Sequence, residues 1–265
     1  MNQGLIPAKW AALTPHRQAV YDVPAQRRVT WAELDELVRR LANGLLDLGL
    51  AKGDRVAVLS RNSVEYLAVY FAAGRVGLVT QPLNWRLAGP ALAAVVRDAA
   101  PRVVVSQVEF RDAVAGLRGE VDVSHWLEFG ESCDGTFDDL VQRSSDREPP
   151  GVDEVGEHDP FFLLYTGGTT GESKGVVHTH ASAAAGMTNQ TVAERVVPSD
   201  VYMLTGQMFH IPIVLAMNYL KHGCPLVLMN FEPRLALELI HHEKVSAFLG
   251  VTTMLNWMMA QEDFG

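Results

Sequence analysis

Hydrophobic and polar positions alternate between helical and strand-like spacing along the first hundred residues. Thr30 and Glu33 form a Thr-x-x-Glu capping box in front of apolar residues at helical spacing. Gly49 is placed to end that helix, because glycine readily adopts the left-handed conformation that follows many last turns. The alternation continues with a strand at 55–59, a helix capped by Ser63, an apolar segment at 76–80, a helix at 91–99 and a strand at 103–105. Strand, helix and strand at this spacing predict parallel pairing through right-handed crossovers.

The same alternation resumes after a break in the middle of the chain. The signal weakens over 107–156, and the acidic stretch 146–157 contains Pro149-Pro150-Gly151, which predicts a surface linker. Beyond it, the pattern predicts strands at 161–166, 201–204, 226–229 and 245–251, and helices from 180, near 212–220, at 235–242 and from 252. The predicted fold is therefore α/β, with alternating helices and strands and largely parallel sheets. We predict a first α/β subdomain at 1–150, with a variable linker at its end, and a second at 151–265.

Composition narrows the class of protein and of partner. Of 265 residues, 48% are hydrophobic and 20% are charged, and 22 Lys and Arg against 31 Asp and Glu give a formal charge of −9. Nucleic acid is not an expected partner, because phosphate-backbone binding needs clustered basic residues. Cys133 and Cys224 are too few for a disulfide framework or a thiolate zinc site. No apolar run approaches the roughly 20 residues of a membrane span, and residues 1–10 are not a signal peptide, so we expect a cytoplasmic protein.

One segment has the residue types expected of a phosphate-binding loop. Residues 165–175 read Tyr-Thr-Gly-Gly-Thr-Thr-Gly-Glu-Ser-Lys-Gly and follow the apolar strand. Glycines let successive backbone N–H groups converge on an anion, threonine hydroxyls add donors, and Lys174 adds a compact positive charge. The spacing is not that of the Gly-x-x-x-x-Gly-Lys-Ser/Thr P-loop, and the strand-like residues 176–179 predict a loop between two strands. From the residues alone, a polar hairpin turn without a ligand is the alternative.

Four segments in order resemble the adenylate-forming superfamily, which includes acyl-CoA synthetases, aryl-CoA ligases, luciferases and peptide-synthetase adenylation domains. The loop resembles the phosphate-binding signature of that superfamily. Three further segments of this chain resemble N-terminal blocks of the superfamily. They are Val-Thr-Trp-Ala-Glu-Leu at 29–34, Lys-Gly-Asp-Arg-Val-Ala at 52–57 and Pro-Leu-Asn-Trp-Arg-Leu at 82–87. The resemblance extends from about residue 27 to residue 258. It implies that the fold is part of the N-terminal domain of an adenylate-forming ligase.

The resemblance implies an acid–thiol ligase, specifically an AMP-forming acyl-CoA synthetase for fatty or aromatic acids. Such enzymes use ATP and Mg²⁺ to convert a carboxylic acid to an acyl adenylate, release pyrophosphate, and pass the acyl group to coenzyme A. By match to the motif, the residues expected to hold the ATP phosphates are Thr166, Gly167, Gly168, Thr169, Thr170, Gly171 and Lys174. Gly167 stands where the family usually has Ser or Thr, and Ser173 where it usually has Pro. Because backbone donors survive both changes, we expect weaker positioning of the phosphates rather than loss.

His210 is the second expected site residue and, with Lys174, an expected catalytic residue. Met208-Phe209-His210 resembles the family's Phe-His block beside the adenylate and acyl pocket. Taken alone, a histidine next to Phe209 and Ile211 is more often a packed core residue. Relatives that adenylate amino acids typically carry Asp after the Phe, so His here favours a fatty or aromatic acid.

The remaining histidines are not assigned to a metal site. His178 and His180 are expected to share one face of a strand at period two. With no Cys or carboxylate nearby to complete a ligand set, we assign no metal ligand. His241 and His242 are expected on the surface of a helix.

Three motifs of complete relatives are not found in this sequence: a Glu that binds magnesium, an Asp that holds the ribose, and a small C-terminal domain with a catalytic Lys. We therefore expect the second subdomain to be truncated, the C-terminal lid domain to be absent, and the chain alone to have little ligase activity. A truncated pseudoenzyme that binds a nucleotide or a partner without catalysis is the alternative function. The expected partners are a small carboxylic acid, ATP and CoA. An apolar truncated edge would favour a homo-oligomer.

Overall fold

The computed structural model describes residues 1–131, 135–166 and 173–262, and these form a mixed α/β fold, as the sequence predicts. The helices are α1 (Ile6–Leu13), α2 (Trp31–Asp47), α3 (Val64–Arg75), α4 (Gly89–Ala99), α5 (Arg111–Arg118), α6 (Thr136–Arg143), α7 (His180–Glu194), α8 (Pro212–Lys221), α9 (Pro233–His242) and α10 (Thr252–Met259). The strands are β1 (Gln18–Asp22), β2 (Arg27–Thr30), β3 (Arg55–Leu59), β4 (Val79–Pro82), β5 (Val103–Gln107), β6 (His125–Phe129), β7 (Pro160–Thr166), β8 (Lys174–Thr179), β9 (Tyr202–Leu204), β10 (Leu226–Leu228) and β11 (Ala247–Phe248).

The strands form two sheets that are parallel except at one edge of each. The six-stranded sheet has the order β6-β5-β3-β4-β7-β8, and only β8 is antiparallel to its neighbour. The five-stranded sheet has the order β11-β9-β10-β1-β2, and only β2 is antiparallel. The largely parallel arrangement confirms the prediction. Each sheet takes strands from both sides of residue 150, and the division into subdomains at that residue stays a prediction.

Local signals in the sequence place the helix starts. The backbone N–H of Glu33 donates to Thr30 Oγ1 at 3.3 Å, and the backbone N–H of Thr30 donates to Glu33 Oε2 at 2.8 Å, which completes the capping box of α2. Ser63 Oγ accepts from the N–H of Tyr66 at 3.1 Å and caps α3. Gly49 follows α2 with φ +83°, so the predicted helix end is confirmed.

Successive side chains of each strand point to opposite faces of its sheet, and the apolar ones pack in three hydrophobic clusters. Val56 and Val58 of β3 join the largest cluster, which links one face of each sheet through α2, α3, α7 and α8. Ala57 and Leu59 point to the opposite face, where they pack with α4 and α5. The outer face of the five-stranded sheet packs against α9 and α10. Buried parallel strands with helices on both faces place their carboxyl ends at common edges, where ligands usually bind.

Several helices and strands of the structure were not predicted from the sequence. The hairpin of β1 and β2 and helix α1 precede the first predicted helix, and the weak-signal segment 107–156 contains α5, β6 and α6. Most of the predicted linker is exposed. The linker is also held in place, because the Glu148 carboxylate binds the Arg75 guanidinium, which is 1% exposed. Among the described residues, none of the helices combines the length and the apolar character needed to cross a membrane.

Candidate functional site

Strands β7 and β8 hold the two ends of the predicted phosphate-binding loop. Thr166, the last residue of β7, pairs directly with Lys174, the first residue of β8, and both are exposed. The antiparallel pairing confirms that the loop joins two strands. The predicted contacts Gly167, Gly168, Thr169, Thr170 and Gly171 lie outside the described residues.

The register of β7 indicates the side of the sheet on which the loop ends lie. Directly paired residues of antiparallel strands project to the same side. Thr166 follows Phe162 and Leu164 at period two, and those two side chains enter the cluster that links the two sheets. Thr166 and Lys174 therefore lie on the side of the six-stranded sheet that faces the five-stranded sheet.

Tyr165 holds the carboxyl end of β7 against α4 on the opposite side. Its phenol donates a hydrogen bond to Asp98 Oδ2 at 2.5 Å. Burial, and then the hydrogen bond to Asp98, raise the pKa of the Tyr165 phenol, so the group remains a donor at neutral pH. A β-carbon at Gly175 would come within 3.1 Å of the Tyr165 ring, so glycine at this position of β8 leaves room for the ring. The strand end beside the loop is thus fixed by a side chain that the sequence analysis did not single out.

His210 borders a cavity of about 490 Å³ at the carboxyl ends of strands from both sheets. The residues that line it follow β3, β4, β9, β10 and β11. They are Arg61, Trp85, Arg86, Thr205, Gly206, Gln207, Phe209, His210, Ile211, Pro212, Asn230, Phe231, Leu249, Val251, Met254 and Trp257. His210 is exposed, so the alternative of a packed core histidine is wrong. Its Nδ1 accepts the backbone N–H of Ile211 at 2.9 Å, which assigns the proton of the neutral ring to Nε2.

An aromatic side chain with two guanidiniums near its ring forms one wall of the cavity. The guanidinium carbon of Arg61 lies 3.7 Å from the centroid of Trp85, and that of Arg86 lies 4.6 Å from it. The Trp85 indole Nε1 donates to Gln207 Oε1 at 3.1 Å, and the Phe209 ring meets Trp85 edge-on at 6.1 Å. Arginines stacked on an aromatic face keep their donors in plane and available to an anion. Arg61 also binds Glu109 at 2.6 Å, which offsets part of its charge.

Arg61, Trp85 and Gln207 have no role predicted from the sequence. Each lies within a few residues of the end of a parallel strand, which is the signal that could have found them. Trp85 and Arg86 lie in the segment 82–87, which is similar to a block of the adenylate-forming superfamily. That similarity alone predicts no chemical role for either side chain.

The strand end at Thr166 and the cavity border the same edge of the six-stranded sheet. β7 pairs with β4 in parallel at Phe162 and Thr80, so both strands end at that edge. Thr166 ends β7, and Trp85 follows the end of β4. The end of β7 at Thr166 and the cavity residue Trp85 therefore lie at the same edge of the six-stranded sheet.

The expectation that His178 and His180 share a strand face is wrong. Thr179 Oγ1 accepts from the N–H of Ser182 at 3.1 Å and begins α7, so His180 is the first residue of a helix. His178 stacks on Phe162 at 4.7 Å, whereas His180 is 0% exposed. Burial lowers the pKa of both imidazoles, that of His180 to about 4.

Three further observations concern the other candidate groups. In the part of the chain that the structure describes, no group of three or more His, Cys, Asp or Glu side chains is placed to hold a metal ion. His241 and His242 are exposed on α9, as predicted. Cys224 is buried, and burial raises the pKa of its thiol to about 11.

Comparison with known proteins gives concordant matches over nearly the whole chain. The family model described as AMP-binding enzyme matches residues 7–265. The long-chain-fatty-acid–CoA ligase FadD13 of Mycobacterium tuberculosis is 32% identical over 269 residues, which cover 99% of this chain and 52% of that protein. A feruloyl-CoA synthase of an Amycolatopsis species is 32% identical over 267 residues, covering 96% of this chain and 50% of that protein. The chain spans about half the length of the curated relatives it matches.

Solved structures agree with the sequence matches. The inhibitor-bound N-terminal domain of FACL13 from Mycobacterium tuberculosis superposes with a TM-score of 0.92 at 30% identity, covering 99% of this chain and 66% of that chain. ATP-bound MatB from Rhodopseudomonas palustris gives a TM-score of 0.84 at 28% identity, covering 99% of this chain and 52% of that chain. The likeness of the fold therefore extends over both sheets, including the β7–β8 pair.

Proposed function

Because the chain belongs to the AMP-binding enzyme family, we propose that it supplies the nucleotide-phosphate loop and the acid-binding cavity of an ATP-dependent acid–CoA ligase. Relatives named as ligases of fatty, ferulic and indoleacetic acids support this class of reaction. In that reaction a carboxylate oxygen attacks the α-phosphorus of ATP, and the bond to pyrophosphate breaks. The CoA thiol then attacks the acyl carbon, and AMP leaves.

One observation supports the proposal: β7, which ends at Thr166, and β4, which leads to Trp85 of the His210 cavity, are parallel neighbours that end at the same edge of the six-stranded sheet. An acid can react with a nucleotide only if both are held within contact distance, and binding at neighbouring strand ends would bring them together. Thr166 and Lys174, with the intervening loop residues, are proposed to hold the phosphates. The Lys174 ammonium is the compact positive charge that offsets phosphate charge as the carboxylate attacks. The Mg²⁺ that the reaction needs is proposed to arrive with the nucleotide.

The lining of the cavity supports a fatty or aromatic acid as the second substrate. Among the described residues that line it, none is Asp or Glu, so nothing there would pair with the amine of an amino acid. Four aromatic rings, Trp85, Phe209, Phe231 and Trp257, offer apolar surface to an alkyl chain or an aryl ring. The two guanidiniums beside Trp85 give an anionic group favourable electrostatics at one wall. His210 is proposed to lie beside the reacting carboxylate, with Nε2–H as donor.

Binding of ATP to the chain is the direct test of the proposed phosphate loop. We expect Lys174→Ala to weaken ATP affinity by at least about tenfold, since one charge-assisted contact contributes on the order of 1.5–3 kcal/mol. Lys9→Ala removes the same charge from an exposed position on α1 and is expected to leave the affinity unchanged. Equal ATP affinity in all three proteins would contradict the role of Lys174.

Carboxylate-dependent ATP–pyrophosphate exchange then tests the reaction itself. The assay uses fatty and aromatic acids, and exchange that disappears in Lys174→Ala is the expected signature of adenylate formation. ATP binding without exchange in any acid would instead favour a nucleotide-binding protein without this activity.

A further inference from the structure

A buried asparagine joins the two sheets at the candidate site. Asn62 lies between β3 and α3 and is 2% exposed. Its Nδ2 donates to the carbonyl oxygens of Gly206 at 2.7 Å and Met229 at 2.9 Å, and its Oδ1 accepts the N–H of Met208 at 2.9 Å. Asn62 belongs to the carboxyl edge of the six-stranded sheet, whereas its three partners follow β9 and β10 of the five-stranded sheet. The amide therefore satisfies backbone groups of one sheet from the other.

A second side chain holds the same backbone from α3. The Tyr70 hydroxyl donates to the carbonyl oxygen of Met208 at 3.0 Å. Tyr70 is 0% exposed, and burial raises the pKa of its phenol, so the donor is retained at any ordinary pH. Both backbone polar groups of Met208 are thus bound by side chains that follow β3. Such buried groups are costly to leave unpaired, which makes the arrangement strongly preferred over alternatives.

The held segment leads directly to the cavity. Gln207 accepts from the Trp85 indole on one side of Met208, and His210 lies two residues beyond it on the other. The turn that carries Asn62 is itself fixed, because the backbone N–H of Arg61 donates to Gln107 Oε1 of β5 at 3.0 Å. A chain of short contacts thus runs from β5 through Asn62 to the segment 206–210.

We propose that Asn62, assisted by Tyr70, is a positioning residue that sets the Gly206–His210 segment against the sheet carrying Thr166 and Lys174. Asn62 does not itself line the cavity, and it acts through the backbone of Gly206, which does line it, and of Met208. Its consequence for catalysis rests on the proposed function, because the distance between the acid and the nucleotide follows from the fit between the two sheets.

The first test reads the position of the segment without any ligand. In a ¹H–¹⁵N spectrum of tryptophan-labelled chain, the Trp85 indole signal, assigned with Trp85→Phe, reports the hydrogen bond to Gln207. We expect an upfield shift of this signal in Asn62→Ala and a smaller one in Tyr70→Phe, which keeps the ring and is the milder change. The Trp10 indole, which donates to the carbonyl of Lys221 at 3.1 Å, is expected to stay in place.

A matched asparagine distinguishes positioning from a general loss of stability. Asn43 Nδ2 also joins two segments, donating to the carbonyl oxygens of Ser145 and Arg147 at 2.9 Å each, remote from the cavity. We expect Asn43→Ala to leave the Trp85 signal unchanged. Two results overturn the proposal. In one, the Trp85 signal is unchanged in both Asn62→Ala and Tyr70→Phe. In the other, Asn43→Ala shifts the signal as much as Asn62→Ala does.

The second test uses ATP, ferulate and dodecanoate as probes. For Asn62→Ala we expect ATP affinity within about twofold of wild type and at least about tenfold weaker binding of whichever acid the wild-type chain binds. Equal loss of ATP and acid affinity, or no loss of either, contradicts a role of Asn62 that is specific to the acid-binding cavity beside His210. A wild-type chain that binds none of the three probes refutes the proposed function, while the tryptophan spectrum still decides the role of Asn62.

Discussion

A buried imidazole at the start of α7 predicts a specific acid dependence of stability. The backbone N–H of Gln3 donates to His180 Nδ1 at 3.0 Å, and the ring stacks on Phe161 with 4.7 Å between centroids. Protonation would place a proton on the accepting nitrogen and a charge on a side chain that is 0% exposed. Burial therefore lowers the pKa of His180 to about 4; the nearby Asp159 opposes the shift, and the N-terminal amine and Lys52 add to it.

The sign and size of the effect follow from the two pKa values. Unfolded histidine has a pKa of about 6.5, so above that pH both states are neutral and the full stability is present. As the pH falls from about 6.5 to about 4, the unfolded chain binds a proton that the folded chain excludes, and the free energy of unfolding decreases. The slope approaches about 1.4 kcal/mol per pH unit. Between pH 7 and pH 4.5 the loss from His180 adds up to roughly 2.5 kcal/mol.

Urea unfolding of wild type and His180→Asn across this pH range isolates the contribution. The asparagine carbonyl can still accept the Gln3 N–H, but the side chain does not titrate. Other titrating groups are common to both proteins, so their effects cancel in the difference between the two free energies. Loss of the Phe161 stacking contributes a constant offset. We expect the advantage of wild type over the variant to shrink by about 2 kcal/mol on acidification, and parallel pH profiles would refute the reasoning.

Two further predictions compare matched substitutions by urea unfolding. Arg75→Met removes one of the two guanidiniums that bind the buried Asp35 carboxylate, the other being that of Arg39, and is expected to cost about 2 kcal/mol. Arg97→Met, from an exposed ion pair, should cost less than about 1 kcal/mol, and similar costs would contradict the ranking. Gly223 has φ +78°, and a β-carbon there would lie 2.8 Å from the Trp10 ring, so Gly223→Ala should cost at least about 2 kcal/mol. Gly49→Ala, at φ +83° in open space, should cost about 1 kcal/mol, and a larger cost than that of Gly223→Ala would be the contrary result.

Local signals explain why much of the fold could be predicted. The capping box at Thr30 and the cap at Ser63 act within three residues, so the sequence contains the whole interaction. The hairpin of β1 and β2 escaped prediction because β1 takes its place in the sheet by pairing with β10, about two hundred residues later. The same holds for β6, which exists as a strand through its register with β5. Such pairing depends on tertiary contacts that periodicity does not encode.

The residues of the candidate site differ in the same way, because some depend on local sequence and others on distant contacts. Lys174 and His210 lie in contiguous motifs, and both could be named from the sequence. Asn62 and Tyr70 could not, because their role consists of hydrogen bonds to backbone atoms more than 130 positions away. A buried asparagine after a strand looks like any turn residue until its partners are known.

The path of the chain gives a physical reason for a site between the sheets. The hairpin of β1 and β2 joins the five-stranded sheet with strands from beyond residue 200, and the chain between them builds the six-stranded sheet. The five-stranded sheet is complete only when the late strands have paired with β1. The surface that holds the loop ends and the cavity therefore forms only when the two sheets dock, and the bonds of Asn62 cross that contact. On this argument, a substitution at Asn62 should disturb the relation between the two parts of the site before it disturbs either part alone.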